Sequence, residues 1–175
     1  SGTAITGQLA SSSDVDYYKF TTSGSGSVSI SLDSPLNSSL SYFKFALYDS
    51  DNNNLGEYTT GKDLTVSIGV SAAGTYHLKL QSGSWYTADQ YSLTTSFTAG
   101  SSAGFESESN DSTASADLIS SGTAIKGQLS SSSDIDYYKF TTDGSGSVSV
   151  SLDSPLNSSL SYFKFTLYDS NGNDI

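Results

Sequence analysis

Apolar and polar side chains alternate along most of this chain, with the period of two that marks a strand with one buried face. The clearest run is 27–32, Ser-Val-Ser-Ile-Ser-Leu. In 42–48 the alternation puts Phe43, Phe45 and Leu47 on one side, and Leu64, Val66, Ile68 and Val70 share a side in the same way. Tyr76, Leu78 and Leu80 define a further strand, and 90–97 closes the series. Earlier, 3–9 reads as a short strand, and 16–22 as one with Tyr18 and Phe20 opposite Tyr17 and Lys19. A short strand is also expected around 57–59. Gly, Pro, Asn and Asp punctuate these runs at 23–26, 33–37, 49–54 and 73–74. No helical period of any length interrupts them. Seven or eight short, evenly spaced strands predict an all-β, antiparallel, jelly-roll or Greek-key-like β-sandwich.

A second pattern is laid over the first. Residues 1–55 match 121–175 at a constant offset of 120, with ten differences that include Val15 for Ile135, Ile30 for Val150 and Leu55 for Ile175. That is the period of whole domains in a tandem array, well above that of a solenoid. The division it predicts is a sandwich over 1–98, a linker over 99–105, and a second copy over 106–175. The first lacks an acidic leading segment, and the second, truncated, has that segment and only its N-terminal strands. The chain starts and stops in mid-pattern, so it reads as a fragment of something longer. Half a sandwich exposes an apolar face and an open edge. The expectation is completion by another molecule, by exchange with the first unit, or poor order.

Composition narrows the function classes. The 175 residues carry 18 acidic and 7 basic side chains, a net charge of -11, and none of the seven is Arg. A nucleic-acid binder needs a basic patch and a polybasic membrane anchor needs a Lys/Arg cluster, so neither is expected, and the enzyme classes offer nothing better below. The carboxylate surplus suits an extracellular surface or a hard-cation binder, although charge alone does not separate these from plain solubility. Without Cys there is no disulfide and no thiolate metal site, which leaves room for a metal staple. No apolar run approaches the roughly 18–20 residues of a membrane span, so membrane insertion is not expected, and no signal peptide is visible.

The carboxylates are not scattered evenly. Glu106, Glu108 and Asn110 alternate with serines, so in extended backbone they project to one side, with Asp111 at the turn that follows. Asp134 and Asp136 are again two apart, just before the strand-like Tyr137-Tyr138-Lys139-Phe140. If the leading segment packs beside the start of that strand, the oxygens make a cage for Ca2+, which takes 6–8 oxygen ligands at about 2.3–2.6 Å. Without a cation such a group repels itself and raises its own pKa values. The competing reading is of solvated loop carboxylates, with Asn110-Asp111-Ser112 a turn or helix N-cap.

Taken together, 106–118, Gly127-Gln128-Leu129, and Asp134 to Phe140 resemble the bacterial pre-peptidase C-terminal (PPC) domain. So do Leu47-Tyr48-Asp49-Ser50 and Ala73-Gly74-Thr75-Tyr76 in the first copy. The resemblance implies a jelly-roll-like β-sandwich found beside secreted peptidases and in large surface proteins. Its collagenase-type members bind calcium through the acidic leading segment and the Asp before the second strand. By position this implies Glu106, Glu108, Asn110, Asp111 and Asp136 as ligands, with Asp134 joining them. Ser109 stands where the family often has Pro, and in the first copy only Asp14 and Asp16 match.

Other motifs carry less. Asp49-Ser50-Asp51-Asn52-Asn53 mimics the start of an EF-hand loop but lacks its later Gly and Glu, so a turn is the better reading. Gly100-Ser101-Ser102-Ala103-Gly104 fits the nucleophile-elbow pattern, yet it lies in a linker without strand, helix or His partner. The sole His, His77, reads as an outward strand residue beside Lys79. Trp85 and Tyr86, in a Ser/Gly loop, are candidates for ligand binding by stacking on sugar or peptide, or else fold over the end of the sandwich. Tyr17, Tyr42 and Tyr48 read as outward β-surface residues.

These readings converge on a non-catalytic, secreted, calcium-stabilised module, a spacer or attachment domain of a larger extracellular bacterial protein such as an adhesin. Neighbouring repeats are its expected partners. Two alternatives stand beside it: a strand-exchanging subunit of an extracellular filament, and a carbohydrate- or collagen-binding module acting on a polysaccharide or protein polymer.

Overall fold

The structure, a computed structural model, describes residues 2–100, 104–129, 131–154 and 161–175. Every strand expected in the first copy forms: β1 (Ile5–Gly7), β2 (Val15–Thr22), β3 (Gly26–Asp33), β4 (Phe43–Tyr48), β5 (Asn54–Thr60), β6 (Leu64–Val70), β7 (Gly74–Ser82) and β8 (Tyr91–Ala99). They make two four-stranded antiparallel sheets, one in the order β1-β8-β3-β6 and the other β2-β7-β4-β5. Sequence neighbours such as β3 and β4 lie in different sheets, so the chain crosses between layers, as in a sandwich built of Greek keys.

The alternation sets which face is buried. Val28, Ile30 and Leu32 of β3 and Leu93 of β8 meet Phe43, Phe45 and Leu47 of β4 and Leu78 and Leu80 of β7, each at most 2% exposed. Burying a side chain of this size contributes about 1.5–3 kcal/mol. Aromatic pairs fill the rest, Phe43 edge-on to Tyr91 and Phe45 stacked with Tyr58. Serines between the core residues face outward, and Ser31 of β3 hydrogen-bonds Thr65 of β6 at 2.8 Å. Tyr17 is exposed as expected, but Tyr42 packs partly buried against the core. It directly precedes β4, and its carbonyl accepts from Gly83 N–H at 2.9 Å.

The 49–53 loop is a turn. Asp49 Oδ1 accepts from the backbone N–H of Asp51 and Asn53, and Oδ2 accepts from Asn53 Nδ2. A carboxylate so fully used by its own loop has little left for a metal. The second copy repeats the arrangement at Asp169. His77 is exposed on β7, with Lys19 and Tyr48 as its register partners.

Two compact units are present, Ser1–Thr141 and Thr142–Ile175. Residues 106–141, which the repeat assigns to the second copy, thus pack with the first sandwich. They contribute a short parallel pair, β9 (Asp117–Leu118) and β10 (Tyr138–Lys139). In the other unit no strand forms among the described residues. Val148, Val150, Leu152, Phe163 and Phe165 are 39–65% exposed there, whereas their counterparts Val28, Ile30, Leu32, Phe43 and Phe45 are at most 1% exposed.

Candidate metal centre

The leading segment is held in place chiefly by backbone bonds. Phe105 bridges Lys126 in parallel, Glu106 N–H donates to Lys126 O at 2.9 Å, and Lys126 N–H donates to Gly104 O at 2.9 Å. Further on, Tyr137 N–H donates to Asn110 O, and Asp117 N–H to Tyr137 O, each at 2.9 Å. Asp117 binds the segment from behind: its Oδ2 accepts from Ser107 N–H at 2.7 Å and from Asn110 Nδ2 at 3.4 Å. The run from Glu106 to Asn110, which bends at Glu108 rather than staying extended as the alternation supposed, is thereby laid against the start of the Asp136–Phe140 segment.

Glu106, Glu108 and Asp136 each bring a carboxylate oxygen within 4.8 Å of the other two. All three are half-buried. Tyr138 donates its hydroxyl to Glu106 Oε2 at 2.5 Å, and Gln128 N–H donates to Glu106 Oε1. Glu108 Oε1, Asp136 Oδ1 and the side-chain oxygen of Asn110 are buried and have no hydrogen-bond partner among the described residues. Asn110 is fully buried, its amide turned to Asp117 and its oxygen left over. Of the other expected ligands, Asp134 lies near enough for its charge to act on both Glu108 and Asp136. Asp111 is exposed at the end of the segment and acts more weakly on Glu108.

Protonation records the strain of this grouping. Burial, then the charges of Asp134 and Glu106, push Glu108 up to about 7. Burial, then the charge and hydrogen bond of Glu106, push Asp136 up to about 8. Burial and the bond to Glu106 also push the Tyr138 phenol up. Carboxyls that hold protons near neutrality, with oxygens lacking donors, form a site where a cation is worth more than in water. The donor set is all oxygen and anionic, which fits a hard divalent ion and excludes a soft one.

The first copy handles the same residues differently. Asp14 accepts from Ala10 N–H at 2.7 Å and Val15 N–H at 2.9 Å. Asp16 accepts from the Tyr91 hydroxyl at 2.5 Å, and Tyr91 in turn bonds Tyr18 at 2.6 Å. A Cβ on Gly7 would strike the Tyr91 and Tyr18 hydroxyls, and one on its counterpart Gly127 would strike Glu106 and the Tyr138 hydroxyl. The Glu106 carboxylate thus stands in the second copy where the Tyr91 hydroxyl stands in the first.

Elsewhere, Trp85 is 54% exposed, on a loop pinned by Trp85 N–H to Ser41 O and Ser82 Oγ to Trp85 O. Tyr86 reaches back to hydrogen-bond Leu9 O at 3.2 Å, which ties it to the end of the sandwich. Residues 101–103 of the elbow-like Gly-x-Ser-x-Gly lie outside the described residues. Asp117, Tyr138 and Gln128 are site residues that the sequence reading missed. No spacing rule singles out one Asp seven residues after an Asn, and Tyr138 looked like an ordinary core tyrosine.

Among solved structures, the chain is similar to the pre-peptidase C-terminal domain of a collagenase from Bacillus anthracis, with 18% identity and a TM-score of 0.44 over 54% of this chain and 89% of that one. It is also similar to carbohydrate-binding module CBM36 in complex with calcium and xylotriose, with 14% identity and a TM-score of 0.30 over 56% of this chain and 91% of that one. No curated protein matches it. The family model of the bacterial pre-peptidase C-terminal domain matches residues 14–82, from the Asp14 turn to the end of β7. That match runs from β2 through β7, within the first sandwich, and makes this segment similar to the bacterial pre-peptidase C-terminal domain family.

Proposed function

We propose that this chain is a non-catalytic, calcium-binding β-sandwich module of an exported bacterial protein, serving as a spacer or attachment domain. Glu106, Glu108 and Asp136 hold the ion, Asn110 and Asp134 complete its shell, and Asp111 adds charge at the rim. The observation that carries this reading is the convergence of three half-buried carboxylates beside a fully buried Asn oxygen that no group among the described residues satisfies. Bound calcium would supply no chemistry beyond charge; it holds the leading segment against the start of β10. An ion that binds only the folded form stabilises it by mass action, about 2.7 kcal/mol at a hundredfold excess over Kd. The test is a thermal melt of the chain in EDTA and in millimolar Ca2+, with calorimetric titration of the metal-free protein. A rise in Tm with a stoichiometric heat supports the reading, and a melt indifferent to calcium removes it.

A second reading is favoured by a separate observation. The side chains of Val148, Val150, Leu152, Phe163 and Phe165 are exposed where their counterparts in the first copy form a core. Strands from another β-sandwich segment would cover them, and strand exchange between molecules would then build a filament by head-to-tail contacts. Sedimentation distinguishes a monomeric spacer from such a polymer.

A further inference from the structure

A sandwich has two lateral sides, each made of one edge strand from each sheet. On one side here those strands are β5 and β6. Edge strands present unpaired backbone groups and need cover. The segment from Phe105 to Gln128 provides it. Gln128 Nε2 donates to Glu57 O of β5 at 2.7 Å. Phe105 lies on Gly69 of β6, where an added Cβ would come within 2.5 Å of the Phe105 Cβ. Gly56 of β5 is likewise bare, with the Gln128 side-chain oxygen 2.7 Å from where its Cβ would stand. Two glycines, one on each edge strand, therefore form a seat that fits these two side chains. Leu55, Tyr58 and Ile68 line the same cleft. Lys126, at a position where the first copy has Thr6, sits over the Phe105 ring at 5.7 Å, a cation–π contact.

The seat and the carboxylate cluster share residues. Glu106 follows Phe105 directly, and its carboxylate accepts from the backbone N–H of Gln128, whose side chain grips β5. We propose that the β5–β6 edge of one repeat is the docking surface for the leading segment of the repeat that follows, and that calcium binding and docking are thermodynamically linked through Glu106 and Gln128. The partner is the next copy of this same unit. The metal thereby sets how rigidly one repeat is held to its neighbour. The linkage rests on the calcium reading above; the docking surface does not.

The experiment uses the full chain, unaltered and as Gly69→Val and Phe105→Ala. Hydrogen exchange is followed in 104–128 and in the edge strands, with calcium and in EDTA, alongside calorimetric calcium affinity. Phe105→Ala changes no backbone and no carboxylate, so it stands in if Gly69→Val fails to fold. The expected result is faster exchange in 104–128 and over β5 and β6 in both variants, with calcium affinity lowered about tenfold, within the usual range of coupling between sites. In the unaltered chain calcium should slow exchange of the edge strands as well as of the segment. Loosened segments with unchanged calcium affinity would overturn the linkage and leave the calcium reading standing. Unchanged exchange in the folded variants would overturn the docking surface. If the unaltered chain binds no calcium, the calcium reading and the linkage fall together, and exchange in EDTA alone decides the docking surface.

Discussion

Asp136 and Glu108 are asked to do opposite things with and without a cation. In the metal-free protein their pKa values lie at about 8 and about 7, against 3.8 and 4.5 for the free groups, mainly because of burial. The folded form therefore holds protons that the unfolded form has released. Their contribution to stability is complete below about pH 4 and is lost as pH rises through 7 and 8. In EDTA, Tm should fall between pH 5 and pH 8.5, and saturating calcium should offset that loss; melts across this range check it. Asp136→Asn removes one of the competing charges. It should raise or preserve the metal-free Tm at pH 8 while abolishing the calcium-induced shift. Asp117→Asn keeps the shape of the residue that orients Asn110 and Ser107. Loss of its charge should weaken calcium binding about 10- to 100-fold, the usual effect of a group that orients a ligand, as calorimetry would read. The alternation of Glu106, Glu108 and Asn110 and the pair Asp134 and Asp136 were legible from spacing as candidate ligands. The residues that hold it were silent, because Asp117 and Tyr138 act through contacts that depend on how the chain returns on itself.

At the level of strands, the alternation was enough to locate all eight, since a half-buried strand must write its burial into every second residue. Boundaries moved by one to three residues, where backbone pairing outruns the apolar run, as at Gly26 and Asp33 of β3. Strand order was not legible. Which strand lies beside β8 is decided by side chains that meet across layers, such as the Tyr91 hydroxyl of β8 that reaches Asp16 of β2 in the other sheet. Tyr91→Phe should leave Asp16 without its donor at a half-buried position and cost about 1–3 kcal/mol, measurable by urea denaturation. Phe105, Glu106 and Gln128 lie on β5 and β6, and 106–141 falls in the first compact unit.

For the whole molecule, near-identical sequence does not mean identical environment. Residues 27–32 and 147–152 differ only at Ile30 and Val150, yet one set is core and the other lies open. Ile30→Ala should cost about 2–5 kcal/mol, and Val150→Ala should fall within about 0.5 kcal/mol; paired urea melts of the two variants decide this. Equal costs would mean that 142–175 acquires a core in solution, as strand exchange requires. The lateral cover on β5 and β6 has one more consequence. The opposite side, bounded by the three-residue β1 and the eight-residue β2, has no such cover from 105–128. Ribbon-like self-association of this domain is thereby given a direction: β2 is the longer of the two edge strands on that side, and a lysine pair or a proline introduced there is the place to stop unwanted growth during expression.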